Sequence, residues 1–305
     1  LFSDVEIRYI KMLNFPRIQF FTITLVVFLL LIFVIKKWKW HDYAISLALL
    51  SALIIHIYFI ISYTSIISVE VPWAEESSAE DTELSIIVAN VKMKNRESKL
   101  LIDLIEENDP DLILAMEVDK WWDEQLSVLE QEYPYSQHTI NEVAYGMVLF
   151  SKLPIKELEV EYLNNKNVPS FDAIILGDND KEIRLHAMHP VPPTHFEKLP
   201  DNEGQQETAL QQLGRKVNDR VLPTIVAGDL NDVIWADIDR LTGTEGILLD
   251  ARIGRGFYSS FNAENIFMRW PLDHVFVTKE FKIAKLERLS KIGSDHFPIL
   301  VELVL

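Results

Sequence analysis

The sequence predicts an α/β domain preceded by a two-helix membrane hairpin, and three observations carry that expectation. Two uncharged apolar runs occupy residues 18–35 and 44–61. From residue 84 onward, short apolar runs of strand length alternate with polar, helix-like stretches. The stretch PTIVAGDLND, residues 223–232, reads as a buried strand over 224–227. Gly228 is expected to break that strand, so that Asp229 and Asn231 emerge together at its carboxyl end. A carboxylate and a carboxamide projecting from one strand end suit phosphate chemistry. The first orients or deprotonates a water, and the second donates to an oxygen gaining charge.

The hairpin comes first in the chain. At 1.5 Å per residue an 18-residue helix spans about 27 Å, the thickness of a bilayer core. The two runs are joined by the short turn KKWKWHDY, and the second contains a single titratable group, His56, read as a neutral imidazole packed between helices. Basic residues set the orientation. Arg8, Lys11 and Arg17 precede the first run, while Lys36, Lys37 and Lys39 fill the turn and no Lys or Arg recurs until Lys92. The turn is therefore expected in the cytoplasm and everything after residue 61 outside it, as in a bacterial inner-membrane protein with a periplasmic domain. Trp38, Trp40 and Tyr43 fit an interfacial aromatic belt. The chain begins with Leu1 rather than Met, which is read as a fragment whose leader or upstream span has been cut away. Residues 1–67 are assigned to the anchor.

Composition narrows the rest. The chain has no cysteine, so disulfides and thiolate metal sites are excluded and any metal is held by oxygen or imidazole. The net charge of −17 is uneven: the first 69 residues carry six Lys and Arg against three Asp and Glu, leaving −20 on the remainder. A body that acidic repels a phosphate backbone, which disfavours long nucleic acid as the main ligand. Residues 68–83, SVEVPWAEESSAEDTE, read as an acidic linker.

Residues 84–305 form the expected α/β domain. Strands are expected over 84–90, 111–117, 146–150, 173–176, 183–188, 224–227, 273–277 and 299–304. Helices are expected over 98–108, where Asp109-Pro110 ends the pattern, over 120–130, over 206–217, and briefly near 235–241. There is no internal repeat, and ten glycines without a Gly-rich turn give no support to a nucleotide-binding loop.

Polar residues gather at the strand ends. Asn90 ends the first strand, Glu117 the second, and His189 follows RLHAM; Asp229 and Asn231 follow 224–227. Asp273 and His274 open LDHVFV, and Ser294, Asp295 and His296 precede the last strand. Singly, each is an ordinary turn or surface residue. Jointly they bring imidazoles, carboxylates and carboxamides to one edge, a costly desolvation of charge unless a cation and an anionic substrate sit among them.

These residues resemble the endonuclease/exonuclease/phosphatase superfamily, of deoxyribonuclease I-like fold, over about residues 84–305. The motifs are AN at 89–90, MEVD at 116–119, YGMVLFSK at 145–152, HPVPP at 189–193, AGDLND at 227–232, PLDHVFV at 271–277 and GSDHFPILVEL at 293–303, in the family's order. The chain looks most like the bacterial membrane-anchored branch. Met116 stands where Gln is usual, and Met188 where Thr usually precedes the histidine.

The resemblance implies a four-layer α/β sandwich, two packed sheets flanked by helices. It also implies a divalent-metal-dependent phosphoesterase that hydrolyses a phosphodiester or phosphomonoester by in-line attack of an activated water. Glu117 would hold Mg²⁺ or Mn²⁺, with Asn90 nearby and Asp295 through water. Asp273 would pair with His296, leaving open whether that imidazole is general base or phosphate donor. Asp229 would align the water, and Asn231, His189 and His296 would bind the phosphoryl oxygens. The substrate is a phosphate ester: a small molecule, a lipid headgroup or a nucleic acid. The rival reading is a membrane-tethered binding protein that keeps the fold without turnover. Specificity is expected in loops 194–207 and 254–269.

Overall fold

In the computed structural model of the protein, residues 11–75, 81–192, 205–236 and 238–305 are described; Arg8, residues 76–80 of the acidic stretch, Pro193 and most of loop 194–207 lie outside them. Two long apolar helices come first, α1 (Arg17–Val34) and α2 (Trp40–Ile60). Both are long and apolar enough to cross a membrane. They pack as a hairpin, and His56 lies in it with its ring centroid 6.4 Å from that of Phe20.

The remaining elements are β1 (Glu83–Asn90), α3 (Ser98–Asn108), β2 (Leu112–Met116), α4 (Lys120–Leu126), β3 (Tyr135–Thr139), β4 (Met147–Ser151), β5 (Ile155–Glu161), β6 (Ser170–Leu176), β7 (Glu182–Met188), α5 (Gln205–Asn218), β8 (Thr224–Asp229), α6 (Ile238–Thr242), β9 (Leu249–Asp250), β10 (Asp273–Val277), β11 (Lys282–Arg288) and β12 (Ile299–Val304). Among the described residues they build two six-stranded sheets, ordered β11-β12-β1-β2-β4-β3 and β5-β6-β7-β8-β10-β9. Within each sheet one pair is parallel, β1 with β2 and β7 with β8, and the other pairings are antiparallel.

Strand periodicity sorts the core into layers, because successive side chains point to opposite faces. Ile86, Val88, Leu114 and Met116 face Ala173, Leu185, Ile225, Ala227 and Val275 between the sheets. Ile87, Ala89, Ile113 and Ala115 face outward onto Leu101, Ile105, Trp122 and Leu126 of α3 and α4. On the far side Val226 and Phe276 meet Leu210, Leu213 and Val217 of α5. The result is the expected four-layer sandwich, with each fully buried large apolar side chain contributing roughly 1.5–3 kcal/mol. Local caps support it: the Asp119 carboxylate accepts from Trp122 N at 2.9 Å at the start of α4, and Asp109 at φ 46° ends α3.

Two local expectations differ from the structure. Gly228 does not break its strand. It lies inside β8 at φ 144°, where a Cβ would stand 1.9 Å from the Met188 carbonyl oxygen, so its role is to let β7 and β8 approach. The second difference is that four strands escape the periodicity: β3, β5, β9 and β11. They are the four edges of the two sheets. Edge strands such as IKELEVE and KIAKLER are half exposed and carry charge, which is how proteins blunt an open edge and also what hides it from a hydrophobic pattern. The start of the acidic stretch is itself packed, with Val71 fully buried and Ala74 N donating to the Ile283 carbonyl at 2.9 Å beside β11.

A further cluster joins the hairpin to the domain. Tyr63, Val233, Ile234, Trp235 and Leu272 are buried there, with Phe15, Ile18, Phe59 and Trp270 packed against them. Trp235 Nε1 donates to the Asn14 carbonyl at 2.7 Å and Tyr63 Oη to the Ile234 carbonyl at 2.8 Å.

Candidate active site

Topology collects the polar strand ends. The parallel pairs release Asn90, Glu117, His189 and Asp229 at the same end of their sheets. Antiparallel partners place the starts of β10 and β12 beside the ends of β8 and β1, so Asp273 is in register with Asp229.

Asp229 is the buried centre of the arrangement. Its Oδ1 accepts from Asn231 N at 2.9 Å and its Oδ2 from Asn90 Nδ2 at 3.1 Å. Its own N–H donates to the Met116 sulfur at 3.1 Å, so the methionine at the unusual position supports the catalytic-type loop from beneath. Burial above all, with Asp273 adding repulsion, pushes the Asp229 carboxyl up, against the pull of His296 and His189.

His296 stands between two carboxylates, with Nδ1 2.7 Å from Asp273 Oδ2 and Nε2 3.6 Å from Asp229 Oδ2. Burial disfavours its charge, but Asp273 and Asp229 overcome that and raise the imidazole to about 10. At neutral pH the ring is therefore an imidazolium. Among the described residues Asp229, Asp273 and His296 offer ligand atoms within 4.8 Å of one another. The 2.7 Å spacing is a hydrogen-bond length, and the charged ring itself is the cation between these carboxylates.

His189 is oriented by Nδ1 on the Asp229 carbonyl at 3.0 Å, which needs no hydroxyl from the preceding residue. Asn231, at φ 53°, donates through Nδ2 to the Pro190 carbonyl at 2.9 Å and lies 3.4 Å from His189 Nδ1, which cannot accept its second hydrogen while donating its own to the Asp229 carbonyl. Glu117, also left-handed at φ 61°, accepts from Asn90 Nδ2 at 3.0 Å and from Met93 N at 3.1 Å. Two non-glycine residues in that region mark backbone held by its surroundings. Asp295 lies 3.4 Å from Lys92 Nζ, which also reaches Glu264 at 3.2 Å.

Glu117, His189, Asp229, Asn231, Asp295 and His296 line one cavity of about 530 Å³. Asn90 and Asp273 stand behind it, each bonded to a lining residue. On the Glu117 side Asn90 turns its Nδ2 hydrogens onto Glu117 and Asp229 while its Oδ1 accepts from Lys92 N at 2.9 Å, so it steadies the carboxylates, and each Glu117 oxygen keeps a lone pair. That chemistry fits a hard divalent cation.

Other residues at the site were not singled out by the sequence. Tyr145, the first residue of the YGMVLFSK motif, is buried against the His189 ring. Its hydroxyl has no hydrogen-bond partner among the described residues, and burial, with Glu117 and Asp229 nearby, raises its pKa. Behind Asp273 lies a buried network in which His274 and Asp232 belong to the motifs but Arg252, Asp250 and Ser260 do not. Arg252 is held by Asp250 at 3.0 Å and donates to the Asp273 carbonyl at 3.0 Å and to His274 Nδ1 at 2.6 Å, so His274 Nε2–H donates to the Asp232 carbonyl at 2.8 Å. Ser260 Oγ accepts from Asp273 N at 3.1 Å. Asp273 is thus fixed on every side but one, its Oδ1 having no partner among the described residues.

Comparisons with known proteins agree with this architecture. A humanized D. rerio TDP2 carrying 14 mutations is 15% identical with a TM-score of 0.60, over 72% of this chain and 98% of that one. The Bacteroides thetaiotaomicron mannosyl-6-phosphatase Bt3783 is 17% identical with a TM-score of 0.54, over 73% and 100%. The human Nocturnin catalytic domain is 15% identical with a TM-score of 0.54, over 72% and 94%. At such identities the likeness is one of fold. No curated protein sequence matches the chain. Residues 87–296 match the family model described as Endonuclease/Exonuclease/phosphatase family, more than half of the chain. The chain belongs to the endonuclease/exonuclease/phosphatase family.

Proposed function

We propose that the protein is a membrane-anchored phosphoester hydrolase that depends on Mg²⁺ or Mn²⁺. The observation that carries this reading is the buried Asp229 carboxylate, held by Asn231 and Asn90 and facing the His296 imidazolium across one cavity. Glu117 would hold the cation, with Asn90 and Asp295 beside it, and the ion would neutralise charge on the phosphoryl group. Asp229, with its raised proton affinity, aligns a water and takes its proton. His296, charged at neutral pH, donates from Nε2 to the oxygen that gains charge, which makes it a phosphate donor rather than the base. Asp273 keeps that ring oriented and charged. Asn231 Nδ2 and His189 Nε2 are the remaining groups available to nonbridging oxygens.

In this reading residues 1–67 are the anchor, 68–83 a connection and 84–305 the catalytic domain. Lys36, Lys37 and Lys39 in the hairpin turn favour a cytoplasmic turn and an extracytoplasmic, periplasmic domain. The full chain in detergent, assayed on phosphodiester and phosphomonoester panels with and without a chelator, tests the activity. Chelator-sensitive turnover is expected. Binding of esters without turnover would favour the non-catalytic alternative.

A further inference from the structure

The catalytic cavity is not walled by the catalytic domain alone. Met12, Phe15 and Pro16, immediately ahead of α1, line it together with Met268 and Trp270. This root of the hairpin is fixed. Lys11 is ion-paired with buried Asp232 at 3.1 Å, the residue after Asn231, and hydrogen-bonds Gln206 at 2.7 Å. With the Trp235 and Tyr63 bonds at either end of the hairpin, the cavity holds one attitude to the two apolar helices.

The wall is continuous and aromatic. Phe15 meets Trp270 edge-on at 5.5 Å, Trp270 stacks on Phe261 at 5.8 Å, and Phe261 lies 5.0 Å from the His296 ring. An apolar path therefore leads from the segment just ahead of α1 to the His296 ring. Trp270 Nε1 in this wall is buried without a partner among the described residues.

One loop sits at the height of the span. Gln19 Nε2, in the first turn of α1, donates to the Phe267 carbonyl at 2.8 Å. Around it Ile266 is 70% and Phe267 80% exposed, both outside the cavity. Adjacent apolar side chains displayed level with the start of a bilayer-spanning helix lose exposed surface only by entering the membrane. The cavity mouth beside them then opens at the headgroup layer.

We propose that the substrate is a membrane lipid carrying a phosphate ester, drawn from the leaflet on which the domain rests, with its apolar portion along the Phe15–Trp270–Phe261 wall and its phosphate at His296 and Asp229. This rests on the phosphoesterase reading above. A free ester shares the phosphate chemistry but leaves the wall and the loop without a role. A long polynucleotide meets a body of net charge −20 and a mouth roofed by residues 12–16.

The test uses the full chain reconstituted in vesicles. Defined vesicles of phosphatidylcholine with phosphatidylglycerol, phosphatidylethanolamine, phosphatidic acid or sphingomyelin are followed by ³¹P NMR, in parallel with soluble bis(p-nitrophenyl) phosphate and p-nitrophenyl phosphate. We expect at least one vesicle lipid to be turned over at least 10-fold faster, at equal bulk phosphate, than its short-chain soluble analogue. Phe267→Ser with Ile266→Ser should lower vesicle turnover at least 5-fold and leave the soluble esters within 2-fold. Because the chain has no cysteine, Phe267→Cys takes a single nitroxide label, which should be more accessible to oxygen than to an aqueous nickel reagent. Soluble esters hydrolysed with every vesicle lipid untouched, or a water-exposed label at position 267, overturns the lipid proposal and leaves the phosphoesterase reading standing. Failure on all substrates, soluble and lipid, overturns that reading and the proposal with it.

Discussion

Lys11 Nζ lies 3.1 Å from Asp232 Oδ2, an ion pair buried at both ends between the segment that leads into the apolar helix α1 and the loop that carries Asn231. Burial disfavours the ammonium, but Asp232 and Glu207 more than offset it and raise the Lys11 pKa. Removing one partner strands the other charge in an apolar setting, which costs about 3–5 kcal/mol. Lys11→Met should therefore lower the thermal midpoint measurably and slow turnover through displacement of Asn231. Lys11→Met combined with Asp232→Leu should recover most of the stability in thermal denaturation of the detergent-solubilised chain. A single mutant as stable as the parent would show that the pair carries no such energy.

The Asp273–His296 pair makes a second prediction, separable by rate and by pH. Asp273→Asn should lower kcat by about 10²- to 10⁴-fold with little change in KM for a small ester. The imidazole, raised to about 10, keeps its charge through neutral pH and loses it as pH rises through that value. Without the carboxylate the alkaline limb of the pH–rate profile should move down toward the free-histidine range near about 6.5. The double mutant with His296→Ala should be little worse than His296→Ala alone, because the carboxylate acts through the ring. Multiplying losses would mean that the two act independently.

Metal holding is tested at Glu117. Glu117→Gln keeps the hydrogen bond to Asn90 Nδ2 but removes the negative charge, so Mg²⁺ or Mn²⁺ should no longer raise the thermal midpoint as it does in the parent. Turnover should fall by at least about 10²-fold in the same preparation. An unchanged metal-induced shift in the variant would place the cation elsewhere.

Stability in acid is predicted from a group outside the site. His186 is buried, its Nε2 without a partner among the described residues; burial is the main reason its pKa falls to about 4, while Asp172 pulls the other way and Arg184 and Lys216 push it down. A histidine whose folded pKa lies below its unfolded value binds its proton more readily when unfolded. Its neutral form therefore supports the fold above about pH 6.5, and that support drains away between about 6.5 and 4, by on the order of 3 kcal/mol. His186→Leu should flatten the fall in unfolding free energy across that window in denaturant titrations. An equally steep fall in the variant would assign the acid sensitivity to other groups.

The sequence by itself determined the interior of this protein and named most of the polar residues that gather at its candidate site. The strands buried on both faces, β1, β2, β4, β8, β10 and β12, were visible because burial forces long apolar runs, β7 because apolar Ile183, Leu185 and Ala187 alternate with polar residues, and α3 and α5 because a helix on a sheet needs an apolar stripe. Asn90, Glu117, Asp229 and His296 were visible because a polar residue closing or preceding such a run stands out. Tertiary structure alone decided the rest, since it depends on contacts far apart in the chain. The edge strands β3, β5, β9 and β11 have one partner each and compose like surface. Arg252 reaches His274 and the Asp273 carbonyl only because β10 folds back beside β9. Whether His296 is base or acid was undetermined in the sequence, where Asp273 is one neighbour among many; the folded chain sets two carboxylates around the buried ring, and it is their charge that supports the proposed donor role. The partnership of Lys11 with Asp232 spans more than two hundred residues, and only the folded chain brings the root of the apolar hairpin to the wall of the candidate active-site cavity.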